Sequence, residues 1–260
     1  AVAASVDPLP LDCYENPSIV ATEADRLLRP GRGLTYLGHD VHLPERGFTR
    51  ADGDPRLLLS RHDGRVSAFA NVCMHALRPL REDDEAVDRA CLTCPYHQWT
   101  YDAQGELVGH RGVTFPEDEA GVLERKRRAL PSYDVLSWHG LHFAVAPNEA
   151  CTLSQELASI EREFTIRGYA SWLDFSDWQV LGRATDHYEG DWKVFLEVYG
   201  DCYHVPPYHP GLASFADCAT LEWTWTPTSH VQWLQRADDA GRRSPAYAAW
   251  TDGMRAYHAA

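Results

Sequence analysis

The chain has 260 residues, 44% of them apolar, with 24 Lys and Arg against 38 Asp and Glu for a formal charge of −14. That excludes a disordered chain and argues against a nucleic-acid binder or a polybasic membrane surface. No stretch reaches the roughly 20 apolar residues of a membrane span. The first ten residues lack a basic flank before an apolar run, so no signal peptide is expected. An acidic, cytoplasmic protein is the expectation. The seven cysteines are an odd number in a chain too large to need disulfide staples, which favours metal ligation over disulfides.

In chain order, residues 1–33 form a polar lead with one short helix expected over Thr22 to Leu28, stopped by Pro30 and Gly31. From residue 34 to about 147 the chain reads as short β-runs broken by turns. Arg56-Leu57-Leu58-Leu59 and Val66-Ser67-Ala68-Phe69 flank the turn His62-Asp63-Gly64-Arg65. Gln98 to Tyr101 and Glu106 to Val108 flank a second turn, and Leu141 to Val145 closes the segment as a strand. The period then changes. Leu153, Leu157, Ile160 and Phe164 recur at helical spacing. Trp178 to Tyr188 is a strand candidate, and Asp191 to Tyr203 a helix candidate stopped by Pro206-Pro207. Leu221, Trp223 and Trp225 alternate with polar residues as a half-buried strand, with Val231 and Trp233 on its partner. Ser244-Pro245 opens a last helix.

Two constellations stand out. Cys73-Met74-His75 and Cys94-Pro95-Tyr96-His97 each offer one thiolate and one imidazole. Two Cys and two His can hold zinc, or a [2Fe–2S] cluster with the sulfurs on one iron and the imidazoles on the other. Cys91-x2-Cys94 offers a second zinc arrangement with Cys73, against a plain strand position for Cys91. The second constellation is Glu197, Asp201, His204 and His209. Asp201 and His204 are three apart, hence neighbours on one helical face with Glu197 one turn earlier on the same side, and the prolines let His209 fold back beside His204. Two imidazoles and a carboxylate with open positions suit non-haem iron.

Phe69-Ala70-Asn71-Val72-Cys73-x-His75 and Cys94-Pro95-Tyr96-His97-x-Trp99-Thr100-Tyr101-Asp102 resemble the cluster loops of Rieske domains. Asp191-Trp192-Lys193-Val194-Phe195-Leu196-Glu197, Asp201-Cys202-Tyr203-His204-Val205-Pro206 and His209-Pro210-Gly211-Leu212 resemble the catalytic signature of Rieske non-haem iron oxygenase α subunits, a group that spans aromatic-ring dioxygenases and choline monooxygenases. The resemblance implies an α+β chain: an all-β Rieske domain over 34–147, then a partial helix-grip (START/Bet v1-like) catalytic domain over 148–260, with the 1–33 lead packing on the latter. It implies Cys73, His75, Cys94 and His97 on the [2Fe–2S] cluster and His204 and His209 on a mononuclear Fe(II). Asp201 would be the electron bridge to a cluster histidine of the next subunit in a head-to-tail homotrimer. Electrons would come from NAD(P)H through a reductase, with or without a ferredoxin. Histidine ligation sets such clusters at about −150 to +300 mV, against about −400 mV for plant-type ferredoxins.

Three departures accompany the likeness. Ala76-Leu77 and Gln98 stand where these loops commonly carry Arg-Gly and Gly, which predicts backbone strain. Val198 replaces an Asn often found after the Glu. The third iron ligand, a downstream Asp or Glu, is not found: Asp217, Asp238, Asp239 and Asp252 do not occupy that part of the pattern, and the chain reads as covering about half of the catalytic domain. The expected activity is hydroxylation or demethylation of a small organic substrate with O2. The alternatives are a Rieske electron carrier and a truncated, silent fragment. The stretch from Asp191 is closer to α-only enzymes of the choline and betaine type. Trp223, Trp225 and Trp233 are the candidate cage for a quaternary ammonium, although Trp223 and Trp225 also suit a strand core.

Overall fold

The computed structural model describes residues 9–28, 33–83, 86–111, 113–114, 116, 118–145, 150–175, 177–179, 186–213, 216–225 and 230–236. In chain order the elements begin with α1 (Asp12–Glu15) and α2 (Pro17–Arg26), then β1 (Thr35–His39), β2 (Gly47–Arg50), β3 (Leu57–His62) and β4 (Arg65–Ala70). After them come β5 (Cys91–Thr93), β6 (Thr100–Asp102), β7 (Leu107–His110), β8 (Val113–Thr114), α3 (Glu119–Arg127), β9 (Ser132–Trp138), β10 (Leu141–Val145) and α4 (Ala150–Ile166). The last are α5 (Trp192–Gly200), α6 (Val205–Tyr208), α7 (Pro210–Ala213), β11 (Ala216–Trp225) and β12 (His230–Arg236). By internal contacts the chain divides into a unit of Asn16–Ala184 and a unit joining Ala1–Glu15 to Thr185–Ala260. Among the described residues no helix is long and apolar enough to cross a membrane.

The first unit holds two antiparallel sheets, ordered β1-β10-β9-β4-β3-β2 and β5-β6-β7-β8. Strand β3 explains the run Leu57-Leu58-Leu59. Leu58 packs with Phe48, Phe69, Leu92, Tyr101 and Leu107, while Leu57 and Leu59 pack with Leu37, Ala51, Ala68 and Ala144. A strand buried on both faces needs no polar alternation. The expected β3–β4 hairpin forms with His62 opposite Arg65. Its two turn residues, Asp63 and Gly64, are left-handed at φ 50° and 74°, as a type I′ turn requires. Gly105 ends the β6–β7 turn at φ 76°, where an added Cβ would lie 2.5 Å from the Phe69 ring. No other residue fits both the angle and the contact.

Sequence reading placed several elements differently. Helix α2 starts at Pro17, not Thr22, because Asn16 caps it by accepting the Ser18 N–H at 3.0 Å and Pro17 suits the first helical position. Helix α3 and strand β9 were not anticipated. Trp178 and Gln179, and Asp186 to Tyr188, are not strand; 180–185 lie outside the described residues. Helix α4 forms on the expected Leu-Leu-Ile-Phe spacing. Pro206 and Pro207 do not stop a helix; they sit in the first turn of α6, where a missing N–H costs nothing. The β11–β12 pair forms, with Trp225 opposite His230 and Glu222 opposite Trp233. The helix expected at Ser244-Pro245 lies outside the described residues.

Buried polar groups tie the first unit together. Ser60 Oγ donates to the Ala103 carbonyl at 2.9 Å. His142, on β10 and 3% exposed, lies between Ser137 Oγ (2.9 Å from Nδ1) and Asp40 Oδ1 (3.0 Å from Nε2). Arg61 also pairs with Asp40. Burial, then the Arg61 charge and His39, hold the His142 imidazole down at about 4 from the usual 6.5. Folded His142 therefore resists protonation that the unfolded chain accepts. We expect stability to be full above pH 6.5 and to fall as pH drops toward 4, by up to roughly 3 kcal/mol. His142→Gln should flatten that slope in thermal unfolding across the window; an unchanged slope would mean other groups set it.

Candidate functional site

The two Cys–His segments fold as loops built alike. In the first, the Cys73 N–H donates to the Arg78 carbonyl at 2.8 Å, and the Leu77 N–H donates back to the Cys73 carbonyl at 2.9 Å. In the second, the Cys94 N–H donates to the Trp99 carbonyl at 2.8 Å, and the Gln98 N–H to the Cys94 carbonyl at 3.0 Å. Each ring of bonds turns the chain within six residues. It leaves the thiol facing inward and the imidazole two or three residues later at the tip. Cys73 and Cys94 are each 2% exposed and belong to the core beside Leu92, Trp99 and Tyr101. His75 and His97 are exposed, their ring centroids 4.5 Å apart at 76°. His75 also stacks on Trp99 at 4.9 Å, and Trp99 lies under the Arg128 guanidinium at 5.1 Å.

The donor chemistry fits a two-iron cluster. The two thiols are hydrogen-bonding neighbours, and the N–H groups of Tyr96 and His97 point at the Cys94 sulfur. Burial, with the neighbouring Cys73, pushes the Cys94 thiol up, so the site must draw positive charge to hold thiolates. Among the described residues no three His, Cys, Asp or Glu side chains gather around one ion-sized point. The four side chains form a buried sulfur pair and an exposed imidazole pair, a donor set that would suit the two irons of a dinuclear centre. Cys91, on β5 and half-buried, takes its strand position.

Sequence reading missed two supports of these loops. Tyr101, fully buried, accepts the Met74 N–H at 3.0 Å and places its hydroxyl 3.6 Å from Cys73 Sγ. Burial pushes this phenol well up, so it keeps its proton and can share a hydrogen bond with that sulfur. Asn71 makes four bonds, donating to the Pro55 and Arg81 carbonyls and accepting from the Leu80 and Arg81 N–H groups. It pins the far end of the first loop. Both residues lie inside the quoted motifs, but their long-range partners leave no local signal.

In the second unit, α5 ends at Gly200, and Asp201 is its extended C-cap. Asp201 and His204 therefore do not share a helical face. A turn brings them together instead: Asp201 Oδ1 accepts the Tyr203 N–H at 2.7 Å and Oδ2 lies 3.3 Å from His204 Nδ1. The Tyr203 N–H first, and His204 after it, hold the Asp201 carboxyl below its usual range. His204 is half-buried and His209 exposed, with ring centroids 5.3 Å apart at 82°. The α6 turn supplies that approach: the His209 N–H reaches back to the Val205 carbonyl at 2.8 Å. Two imidazoles meeting edge to face fit two ligands of a mononuclear iron. Glu197 turns elsewhere and accepts the Tyr14 hydroxyl, while Asp191 pairs with buried Lys193 at 2.8 Å. Of the four downstream aspartates, Asp217 spends one oxygen on the Ala219 N–H; Asp238, Asp239 and Asp252 lie outside the described residues.

Comparison with known proteins matches both halves. The Rieske [2Fe-2S] domain family matches residues 35–116, and the catalytic domain of the ring hydroxylating alpha subunits matches residues 175–258. The chain thus carries a Rieske-type domain followed by a stretch that matches the catalytic domain of ring hydroxylating alpha subunits. Putrescine 2-hydroxylase of Ralstonia nicotianae is 30% identical over 252 residues, covering 95% of this chain and 62% of the relative. The carnitine monooxygenase oxygenase subunit of Acinetobacter pittii is 25% identical, covering 88% and 62%. The fold matches a crystal structure of a quaternary ammonium Rieske monooxygenase with TM-score 0.70 at 19% identity, covering 89% of this chain and 63% of that one. The chain thus spans under two thirds of the length of these relatives. Its two domains imply a [2Fe–2S] cluster and a mononuclear iron.

The two loops of the Rieske domain carry a local cost. Leu77 and Gln98, the positions where glycine was expected, are left-handed at φ 55° and 61°. A side chain there costs roughly 1 to 2 kcal/mol, partly offset by glycine's greater freedom when unfolded. Leu77→Gly and Gln98→Gly should each stabilise the domain by about 0.5 to 1 kcal/mol in denaturant titrations. Destabilisation by both would show that the side chains hold the loops.

Proposed function

We propose that this chain is the oxygenase component of a Rieske system, in which Cys73, Cys94, His75 and His97 hold the [2Fe–2S] cluster and His204 and His209 hold the mononuclear iron. The matched construction of the two Cys loops supports this most strongly. When bound, the cluster supplies one-electron transfer and the iron supplies the reduction of O2. The chain's own residues do the rest. Cys73 and Cys94 anchor from the core, and Tyr101 shares a hydrogen bond with the Cys73 sulfur. The exposed edges of His75 and His97 leave an N–H of each for a partner. Asp201, held as an anion by the Tyr203 N–H, is the acceptor for such an N–H from a neighbouring copy. A head-to-tail contact of that kind closes as a ring, here a trimer. NAD(P)H, through a reductase and with or without a ferredoxin, is the proposed source of electrons.

The proposed domains are the lead 1–33 on the catalytic domain, the Rieske domain 34–147 and the catalytic domain 148–260. The Tyr14–Glu197 hydrogen bond supports the first contact. A carrier of electrons alone has no use for Asp201, His204 and His209, which is why that alternative is not adopted.

The proposed substrate class is a small organic cation. Relatives are named for putrescine, carnitine and choline, one a diamine and two quaternary ammonium compounds, all organic cations. In this chain Trp223 and Trp225 stack at 5.2 Å and 9°, with His230 about 5 Å from both. Trp225 is 68% exposed, and the Trp223 ring is also the nearest side chain to Gly200, next to Asp201. An exposed indole face beside the Asp201 turn attracts cations by about 0.5 to 2 kcal/mol.

His97→Ala should abolish the visible absorption and the EPR spectrum of a His-ligated cluster in the purified full chain, while His204→Ala leaves both in place. Bleaching by His204→Ala would contradict the division into two sites.

A further inference from the structure

Two cysteines with no role above meet beside the Asp201 turn. Cys202 follows the carboxylate directly, between α5 and α6. Cys218 lies on β11, where pairing with β12 shifts register between Asp217 and Glu222. The Cys202 S–H is within hydrogen-bonding reach of the Cys218 sulfur. Both thiols are reduced and half-buried, open to a small oxidant yet held together. Cys73 and Cys94 are by contrast sealed in the Rieske core.

We propose that Cys202 and Cys218 form a redox modification site that closes to a disulfide with hydrogen peroxide. Cys218, whose sulfur lies within hydrogen-bonding reach of the Cys202 S–H, is the sulfur that attacks first. Its sulfur takes one peroxide oxygen as the O–O bond breaks; the released hydroxide takes up a proton as water, leaving a sulfenic acid. The Cys202 sulfur then attacks the Cys218 sulfur. The S–S bond forms, the S–O bond breaks, and the second oxygen leaves as water with the Cys202 proton. The two sulfurs lose two electrons and peroxide gains them.

The bond would tie the Asp201 turn to β11 and close residues 203–217, including His204 and His209, into a ring. Cross-linking removes conformational freedom from the enclosed segment. Peroxide is the two-electron product of O2 reduction, and an oxygenase turning over without substrate would be one source of it. That source rests on the function proposed above, whereas the bond does not.

The full chain, reduced and freed of reductant, is treated with hydrogen peroxide, quenched with N-ethylmaleimide, digested and read by mass spectrometry. The alkylated Cys202 and Cys218 peptides should disappear together as one linked peptide appears, and dithiothreitol should restore them. Cys218→Ser should leave Cys202 alkylated at its untreated level, and Cys202→Ser should leave a dimedone-reactive sulfenic acid at Cys218. The proposal is overturned if both cysteines stay as alkylatable as half-buried Cys91, or if either links to a different cysteine or to a second chain. These readouts need no bound iron and no turnover. A failed function would instead show as a missing cluster spectrum with the thiol pairing intact.

Discussion

The closed backbone ring around each of Cys73 and Cys94 is the constraint on which the rest depends. A Cys N–H bonded five residues ahead, with the next-to-last N–H bonded back, leaves one geometry for each loop. The thiol enters a core of Phe, Leu, Trp and Tyr side chains, and the imidazole emerges at the tip. Because both loops obey the same rule, two sulfurs meet inside and two imidazoles meet outside. The polarity of the site, with thiols in the interior and imidazole edges at the surface, follows from eight bonding groups of the main chain. The left-handed residues Leu77 and Gln98 carry the cost of that closure, and strained backbone of this kind persists where surrounding contacts over-determine it.

The second site rests on a weaker frame. A capped helix end, a short turn and a four-residue helix align Asp201, His204 and His209. Asp201 spends one oxygen on the Tyr203 N–H and keeps the other near His204, so the carboxylate stays charged and partly open to solvent. The apolar residues of α5 are largely exposed in this chain, Phe195 at 58% and Tyr199 at 64% among them. The two sites therefore differ in kind: the first joins local turns to a packed core, the second has local turns alone.

Much of this was legible in the sequence because the signals are local. Cys-x-His and Cys-x2-His, the Asp63-Gly64 turn and the spacing of Leu153, Leu157, Ile160 and Phe164 each need only a few neighbouring residues. The glycine deficits at Leu77 and Gln98 marked the two loop positions that prove left-handed. What escaped was non-local or lacked contrast. Strand β9 has no residue fully buried, so its alternation is faint. Five of the nine residues of helix α3 are charged, and the helix has no apolar stripe. The sheet order that sets β1 beside β10 needs partners a hundred residues apart, as does the Tyr14 bond to Glu197. Pro206-Pro207 misled because a proline pair stops a helix or starts one, and only the tertiary turn decides which.

The most direct test of the central claim is chemical analysis of freshly purified, anaerobically prepared protein for iron, zinc and acid-labile sulfide. The account predicts inorganic sulfide in equal amount to the cluster iron, lost together when Cys94 is replaced by Ser. Protein that holds zinc on the same four ligands and yields no sulfide would contradict it.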